Sequence, residues 1–288
     1  MRHLYYLLLI LAYPLALLPL RVLYFLSDII YVLLYYVTGY RKSVVLDNLQ
    51  QAFPDKQGEE LKAIARKFYR NFCDQWLETL KLLTISRSGL NKRMTANWEV
   101  FEQLNAAGKD TYALVGHNFN WEWLNVAWQY NVAQQYACFY MPVDNEGFDR
   151  IMQRIRTRSG GWLISMKAKK GMQRLQGVRF ILGLAADQNP SDIKHAAWLP
   201  FMHREAPFFK GPEKLARRAG AAVVFTGTRK IKRGHYQLHF ELVTEDASTM
   251  PEGEITRRYV QFMEQQLEAQ PENWLWSHRR WKYSRTDA

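Results

Sequence analysis

Apolar side chains fill almost every position from 4 to 20, stop at Arg21, and resume from 29 to 37. As a helix the first run covers roughly 25 Å, slightly short of a bilayer's hydrocarbon thickness, and Pro14 and Pro19 are expected to bend it. Tyr5, Tyr6, Tyr24, Tyr35, Tyr36 and Tyr40 gather at the ends of these runs, as headgroup-level anchors do. Residues 1–42 therefore read as a membrane-anchoring segment, either a single span or a pair of helices lying in the interface, with ordinary core helices as the competing reading. Arg2 on one side and Arg41 with Lys42 on the other give no orientation by the positive-inside rule. A signal peptide fits poorly, because a second apolar stretch follows with no small-residue cleavage site between the two.

From 43 to 83 the apolar positions recur at helical spacing, with Phe53-Pro54-Asp55 as a break. A helix over 98–107 ends at Gly108. Residues 111–115 are β-branched or apolar throughout and predict a buried strand. Beyond it the pattern alternates: strand 135–141, helix 148–158, strand 161–165, helix 169–176, strand 180–185, a helix opened by Pro212 and stopped at Gly220, strands 222–228 and 236–243, and helix 255–269. Residues 43–288 thus predict a helical subregion followed by an α/β domain, a mixed, mostly parallel sheet covered by helices.

The strand over 111–115 runs into Gly116-His117-Asn118-Phe119-Asn120-Trp121-Glu122. Asn118 or Asn120 can cap a helix that begins there, which places His117 on a strand-to-helix loop and Glu122 in the first helical turn. Open α/β sheets bind ligands beyond such strand ends. An imidazole takes a proton from a hydroxyl near neutral pH if a carboxylate holds its other nitrogen, so His117 and Glu122 read as a base and its orienter. Against this stands the helix dipole, which favours a first-turn Glu in any case.

A net charge of +12 with 10 Trp, 16 Tyr and 15 Phe implies an anionic partner and an amphipathic surface. Nucleic acid is disfavoured, since no recognition-helix, RNP or zinc-finger pattern occurs. Cys73 and Cys138 lack metal-ligand spacing and read as thiols of a reducing compartment, and neither a metal nor a cofactor is expected. Arg154, Arg156 and Arg158 are either a solvated basic face or a clamp for phosphate or carboxylate. Asp187 follows the strand over 180–185, so it should share the sheet edge of His117, where it reads either as a carboxylate that orients one of those arginines or as the start of a turn with Pro190. Lys167, Lys169, Lys170, Arg174 and Arg179 suit an anionic surface or an acidic protein. Residues 198–201 and Phe208-Phe209 read as a loop that lines an acyl-chain groove or covers the core. Residues 273–282 alternate indoles with cations, as at a lipid-water interface or around a phosphate-bearing ligand.

Together these segments resemble the bacterial lipid A late acyltransferases, the lauroyl and myristoyl transferases within the lysophospholipid acyltransferase superfamily. The resemblance runs from the apolar amino terminus and Asn48-Leu49-Gln50-Gln51-Ala52-Phe53-Pro54, through His117-x4-Glu122, the 154–158 segment and Ala186-Asp187-Gln188, to Trp276-Ser277-His278-Arg279-Arg280. It implies a glycerolipid acyltransferase-like fold and transfer of a fatty acyl group from acyl carrier protein, or from CoA, to a hydroxyl of a lipid A precursor. The reaction would take place on the cytoplasmic face of the bacterial inner membrane. It further implies that His117 is the base and Glu122 its orienter, and that Arg156, Arg154 and Asp187 bind substrate. The alternatives are a different lipid acceptor (a lysophospholipid, an aminolipid or a phosphoinositide mannoside) or a protein that binds membranes without catalysis.

Overall fold

The computed structural model describes residues 2–168 and 170–287. In chain order the elements are α1 (Arg2–Leu17), α2 (Leu20–Val32, prolonged by a π-helical turn Leu33–Val37), α3 (Lys42–Ala52), α4 (Glu59–Lys81), α5 (Arg87–Asn91), β1 (Met94–Thr95) and α6 (Glu99–Ala106). The α/β part follows with β2 (Thr111–Val115), α7 (Trp121–Asn131), β3 (Gln135–Tyr140), α8 (Glu146–Thr157), β4 (Trp162–Ser165), a 3-10 turn Gly171–Leu175 and β5 (Phe180–Ala185). Then come β6 (Ala197–Phe201), β7 (Arg204–Phe208), α9 (Gly211–Ala219), β8 (Ala222–Lys232), β9 (His235–Thr244) and α10 (Glu254–Ala269).

Seven strands form one sheet in the order β1-β9-β8-β2-β5-β3-β4. All neighbours are parallel except β8 and β9. The mixed, mostly parallel sheet expected from the alternating pattern is therefore what forms, and β2 and β5 occupy the predicted residues. Because successive strand residues point to opposite faces, Tyr112 and Leu114 enter one core with α4, α10 and Trp274, while Ala113 and Val115 enter the other with α7 and α6. From β2 the chain crosses over to β3, whereas from β5 it leads to β8 on the other side. The gap between the carboxyl ends of β2 and β5 is thus a topological switch point, where sheets of this kind hold ligands.

Two expectations are corrected. Residues 198–201 and 208 do not form a loop: β6 and β7 make an antiparallel hairpin, and Phe201 and Phe208 are buried in the core. Residues 273–282 are not a surface alternation of indoles and cations throughout, since Trp274, Trp276 and Arg280 are buried while Arg279 and Lys282 are exposed. Arg280 sits over the rings of Phe208 and Phe201 at 4.3 and 5.4 Å, donating to Asn189 Oδ1 (2.6 Å) and the Pro207 carbonyl (2.8 Å). These bonds hold the segment after α10 as a strap against β7 and the residues that follow β5.

At the amino terminus Pro14 stays inside α1, and the chain breaks at Pro19, which caps α2. The stretch Leu20–Val37, with mean hydropathy 1.6, is long and apolar enough to cross a bilayer by length and composition. Yet α2 lies along α4, and α1 packs against both α4 and α8. Leu20, Leu23, Tyr31 and Tyr35 are buried in the body, whereas Ile10, Leu17, Phe25 and Val37 are 65–70% exposed (68%, 65%, 66% and 70%). The segment is therefore amphipathic at the level of the folded protein, with one side in the core and one apolar side outward.

The α7 helix starts where one of the two candidate caps predicted it. Asn120 Oδ1 accepts from the Trp123 backbone N–H at 3.0 Å, and its amide donates to Glu78 Oε2 at 2.7 Å. Glu78 is wholly buried and also accepts from Tyr24 and Tyr236 at 2.7 Å each. Asn120→Ala removes both the cap and one of those donors, so it should cost roughly 2–4 kcal/mol. Asn120→Ser keeps the cap and should cost about half as much. Urea unfolding of the three proteins measures the difference.

Candidate active site

In the parallel pairing of β2 with β5, Val115 lies opposite Ala185. Two residues further on, the same register sets His117 against Asp187. His117 Nδ1 and Asp187 Oδ1 are 2.7 Å apart, and the His117 backbone N–H donates to Oδ2 at 2.7 Å. Trp274, carried by the strap, donates its indole N–H to the same Oδ2 at 2.6 Å. With these donors around a carboxylate that is fully buried, the proton on Nδ1 is fixed, and Nε2 is left as the imidazole nitrogen available to a ligand. Burial by itself would raise the Asp187 carboxyl, but the facing imidazolium and the hydrogen bonds hold it down to about 2. Burial also opposes charging of His117, and the Asp187 carboxylate outweighs it, so His117 is raised above the ordinary imidazole value.

Glu122 is engaged elsewhere. From the first turn of α7 its carboxylate is clamped by Arg156 of α8, with Nη2 to Oε1 at 2.5 Å and Nε to Oε2 at 2.9 Å. Trp121 adds its indole N–H to Oε1 at 3.2 Å. The glutamate is almost fully buried, and the Arg156 side chain is 27% exposed. The expected pairings are thus exchanged: Asp187, not Glu122, orients His117, and Glu122, not Asp187, holds the arginine. The reason is geometric, because parallel neighbours bring residues of matching register together whereas a helical first turn aims its side chain at the next helix.

His117, Glu122 and Arg156 line one cavity of about 280 Å³ whose inner wall includes Leu124, Trp128 and Tyr136. Trp128 and Tyr136 stack at 5.0 Å between ring centres and form a rigid end wall. Met141 and Val143 also line the cavity and are 55% and 46% exposed, so its mouth is apolar. A larger cavity of about 570 Å³ lies between α2 and the β8–β9 turn, but it contains neither His117 nor Arg156. The chemistry is therefore assigned to the smaller one.

Of the other residues singled out, Arg154 faces away from His117 into a separate cavity. Arg158 donates to the Leu82 carbonyl, and Arg179 pairs with Asp110 at 2.9 Å, which leaves both as structural contacts. Arg174 stacks on Trp162 at 4.2 Å. Lys169 lies outside the described residues. Two residues that hold the site were not recognised as such: Glu78, which anchors Asn120, and Trp274, which completes the shell of Asp187. A buried acid at a helical core position was the available signal for Glu78. Nothing local distinguished Trp274 from the neighbouring tryptophans.

The chain matches the family described as bacterial lipid A biosynthesis acyltransferase over residues 1–283. No curated protein matches it.

Proposed function

Because the chain belongs to the bacterial lipid A biosynthesis acyltransferase family, we propose that it transfers a fatty acyl group from an acyl carrier protein thioester directly to a hydroxyl of a lipid A precursor. The observation that carries this reading is the His117–Asp187 pair beside the Glu122–Arg156 pair in one apolar-mouthed cavity. His117 Nε2 removes the hydroxyl proton as the oxygen attacks the thioester carbonyl. Negative charge moves onto the carbonyl oxygen, where the Arg156 guanidinium, held in place by Glu122, offers positive charge. Collapse breaks the carbon–sulfur bond, and the imidazolium returns its proton to the leaving thiolate. The ester and the free thiol are the products, and no step needs an enzyme-bound acyl group.

The exposed apolar sides of α1 and α2, with the mouth residues Met141 and Val143, support work at a lipid surface. We assign that surface to the cytoplasmic face of the inner membrane, where an acyl carrier protein is available, and the net charge of +12 suits both an anionic bilayer and an acidic carrier. The assay is purified protein with an acyl carrier thioester and a lipid A precursor, followed by mass spectrometry. The expected product is the precursor plus one acyl chain. Thioester consumption with no acylated glycolipid, or acylation of a lysophospholipid alone, would overturn the reading.

The cavity also predicts a chain-length effect. The stacked Trp128 and Tyr136 close the inner end of the 280 Å³ cavity, so they bound the length of acyl chain that reaches past His117. A Cβ on Gly183 would stand 2.5 Å from the Tyr136 hydroxyl, so Gly183→Ala pushes a rigid ring into the space the chain occupies. Competition among thioesters of graded length should show the preferred chain shortened in that variant. An unchanged preference would place the acyl chain elsewhere.

A further inference from the structure

The α8 helix divides its arginines between two cavities. Arg156 points into the His117 cavity and is bound by Glu122, while Arg150 and Arg154, one turn apart, line a second cavity of about 550 Å³ together with Arg174 and Tyr5. Tyr140 lines both cavities, so they share a wall. No Asp or Glu lines the second one. Arg154 has no hydrogen-bonding or ionic partner among the described residues, Arg150 reaches Glu146 only at 3.7 Å on the exposed surface, and Arg174 rests on the Trp162 ring. Like charges at i and i+4 on a helix work against its stability. The helix dipole favours Arg154 in the last turn of α8, and Arg174 gains its stack on Trp162, but neither accounts for the three guanidinium groups lining one hollow, whereas a concave basic wall concentrates anions and a guanidinium matches phosphate oxygens two at a time.

We propose that this cavity is a phosphate site, which holds a phosphate ester of a substrate whose reacting end passes Tyr140 into the His117 cavity. The proposal rests on the acyl-transfer reading of that neighbouring cavity. Two sources carry the same chemistry, a phosphorylated sugar of the glycolipid acceptor and the phosphopantetheine arm of the donor. A hollow of this volume suits such a group rather than the face of a whole protein. Charge selectivity then comes from Arg150, Arg154 and Arg174, and the chemical step from His117 and Arg156.

The test is the full-length protein carrying Arg150→Gln, Arg154→Gln and Arg174→Gln together. All three side chains lie at the surface, and an unchanged unfolding midpoint confirms the fold. One arm compares phosphorylated with dephosphorylated acceptor. The other compares acyl carrier protein thioester with the N-acetylcysteamine thioester, which lacks phosphate. The expected result is a KM raised about ten-fold or more for one phosphate-bearing substrate, with kcat within about two-fold and no change for its phosphate-free counterpart. Whichever arm responds identifies the source. Unchanged KM values, or equal changes with and without phosphate, overturn the proposal. If the parent transfers no acyl group, calorimetric titration with inorganic pyrophosphate decides alone: binding weakened about ten-fold or more in the variant upholds the site, and equal binding overturns it.

Discussion

Asp187→Asn should reduce kcat by roughly 10³–10⁴, about as much as His117→Ala, and the double variant should be little worse than either. An asparagine presents one oxygen and one NH2 to a shell made entirely of donors: the His117 backbone N–H, its Nδ1–H and the Trp274 indole N–H. Turning the NH2 towards the ring favours the tautomer with its proton on Nε2, which cannot accept one from a hydroxyl. The pH profile separates this loss from simple misfolding. His117 is raised by Asp187, so the parent's kcat/KM should rise with pH through a midpoint above the ordinary imidazole value of 6.5. Without the carboxylate, burial, the largest influence, and the Arg156 charge both lower that midpoint, and only Glu122 still raises it. Steady-state rates from pH 5 to 9 should therefore show a slower enzyme whose acid limb has moved to lower pH, and a fixed limb would remove Asp187 from its place behind His117. The stability effect has its own window. A carboxyl held down to about 2 from 3.8 stabilises the fold above 3.8, and that stabilisation fades as the pH falls towards 2.

Breaking the second pair should give a different signature. Glu122→Gln leaves the Arg156 guanidinium without its bidentate counter-charge and should cost about 2–4 kcal/mol in unfolding experiments, below a fully sealed pair because Arg156 is 27% exposed. Arg156→Met replaces the charge with a hydrocarbon of similar length but leaves Glu122 buried and unpaired. It should lower kcat by about 10²–10³ through loss of oxyanion stabilisation. Arg156→Lys keeps the charge and loses the fork, so it should fall between parent and Met variant. The acid limb of Glu122→Gln should move only slightly, since Glu122 is a lesser influence on His117 than Asp187. A shift as large as that of Asp187→Asn would restore Glu122 to the role of orienter.

The contrast between these pairs shows what the sequence could and could not convey. β2 and β5 were legible to the residue because each is a short, continuous apolar run closed by turn-forming or polar positions, and α7 followed from its cap. His117, Glu122, Arg156 and Asp187 were all legible as reactive types just past strand ends or on the flanking helix. Their pairing was not. It depends on β5 inserting between β2 and β3, a long-range choice that no local pattern encodes, and on the in-register match of Val115 with Ala185. The β6–β7 hairpin carries no strand pattern in the sequence because Pro200 and Pro207 suppress it, yet in this two-stranded sheet each can sit where no ladder donor is required. The indole and cation alternation of residues 273–282 was equally consistent with a wet interface, since composition does not reveal that Arg280 is held between Phe201 and Phe208.

Trp274 lies far along the chain from the carboxylate it completes. The site is therefore complete only once the chain beyond α10 has folded back over the ends of β2 and β5, although every other member of the site precedes it in the chain. A chain shortened before residue 274 would keep β2, β5 and the His117–Asp187 register yet leave Oδ2 of that carboxylate one donor short.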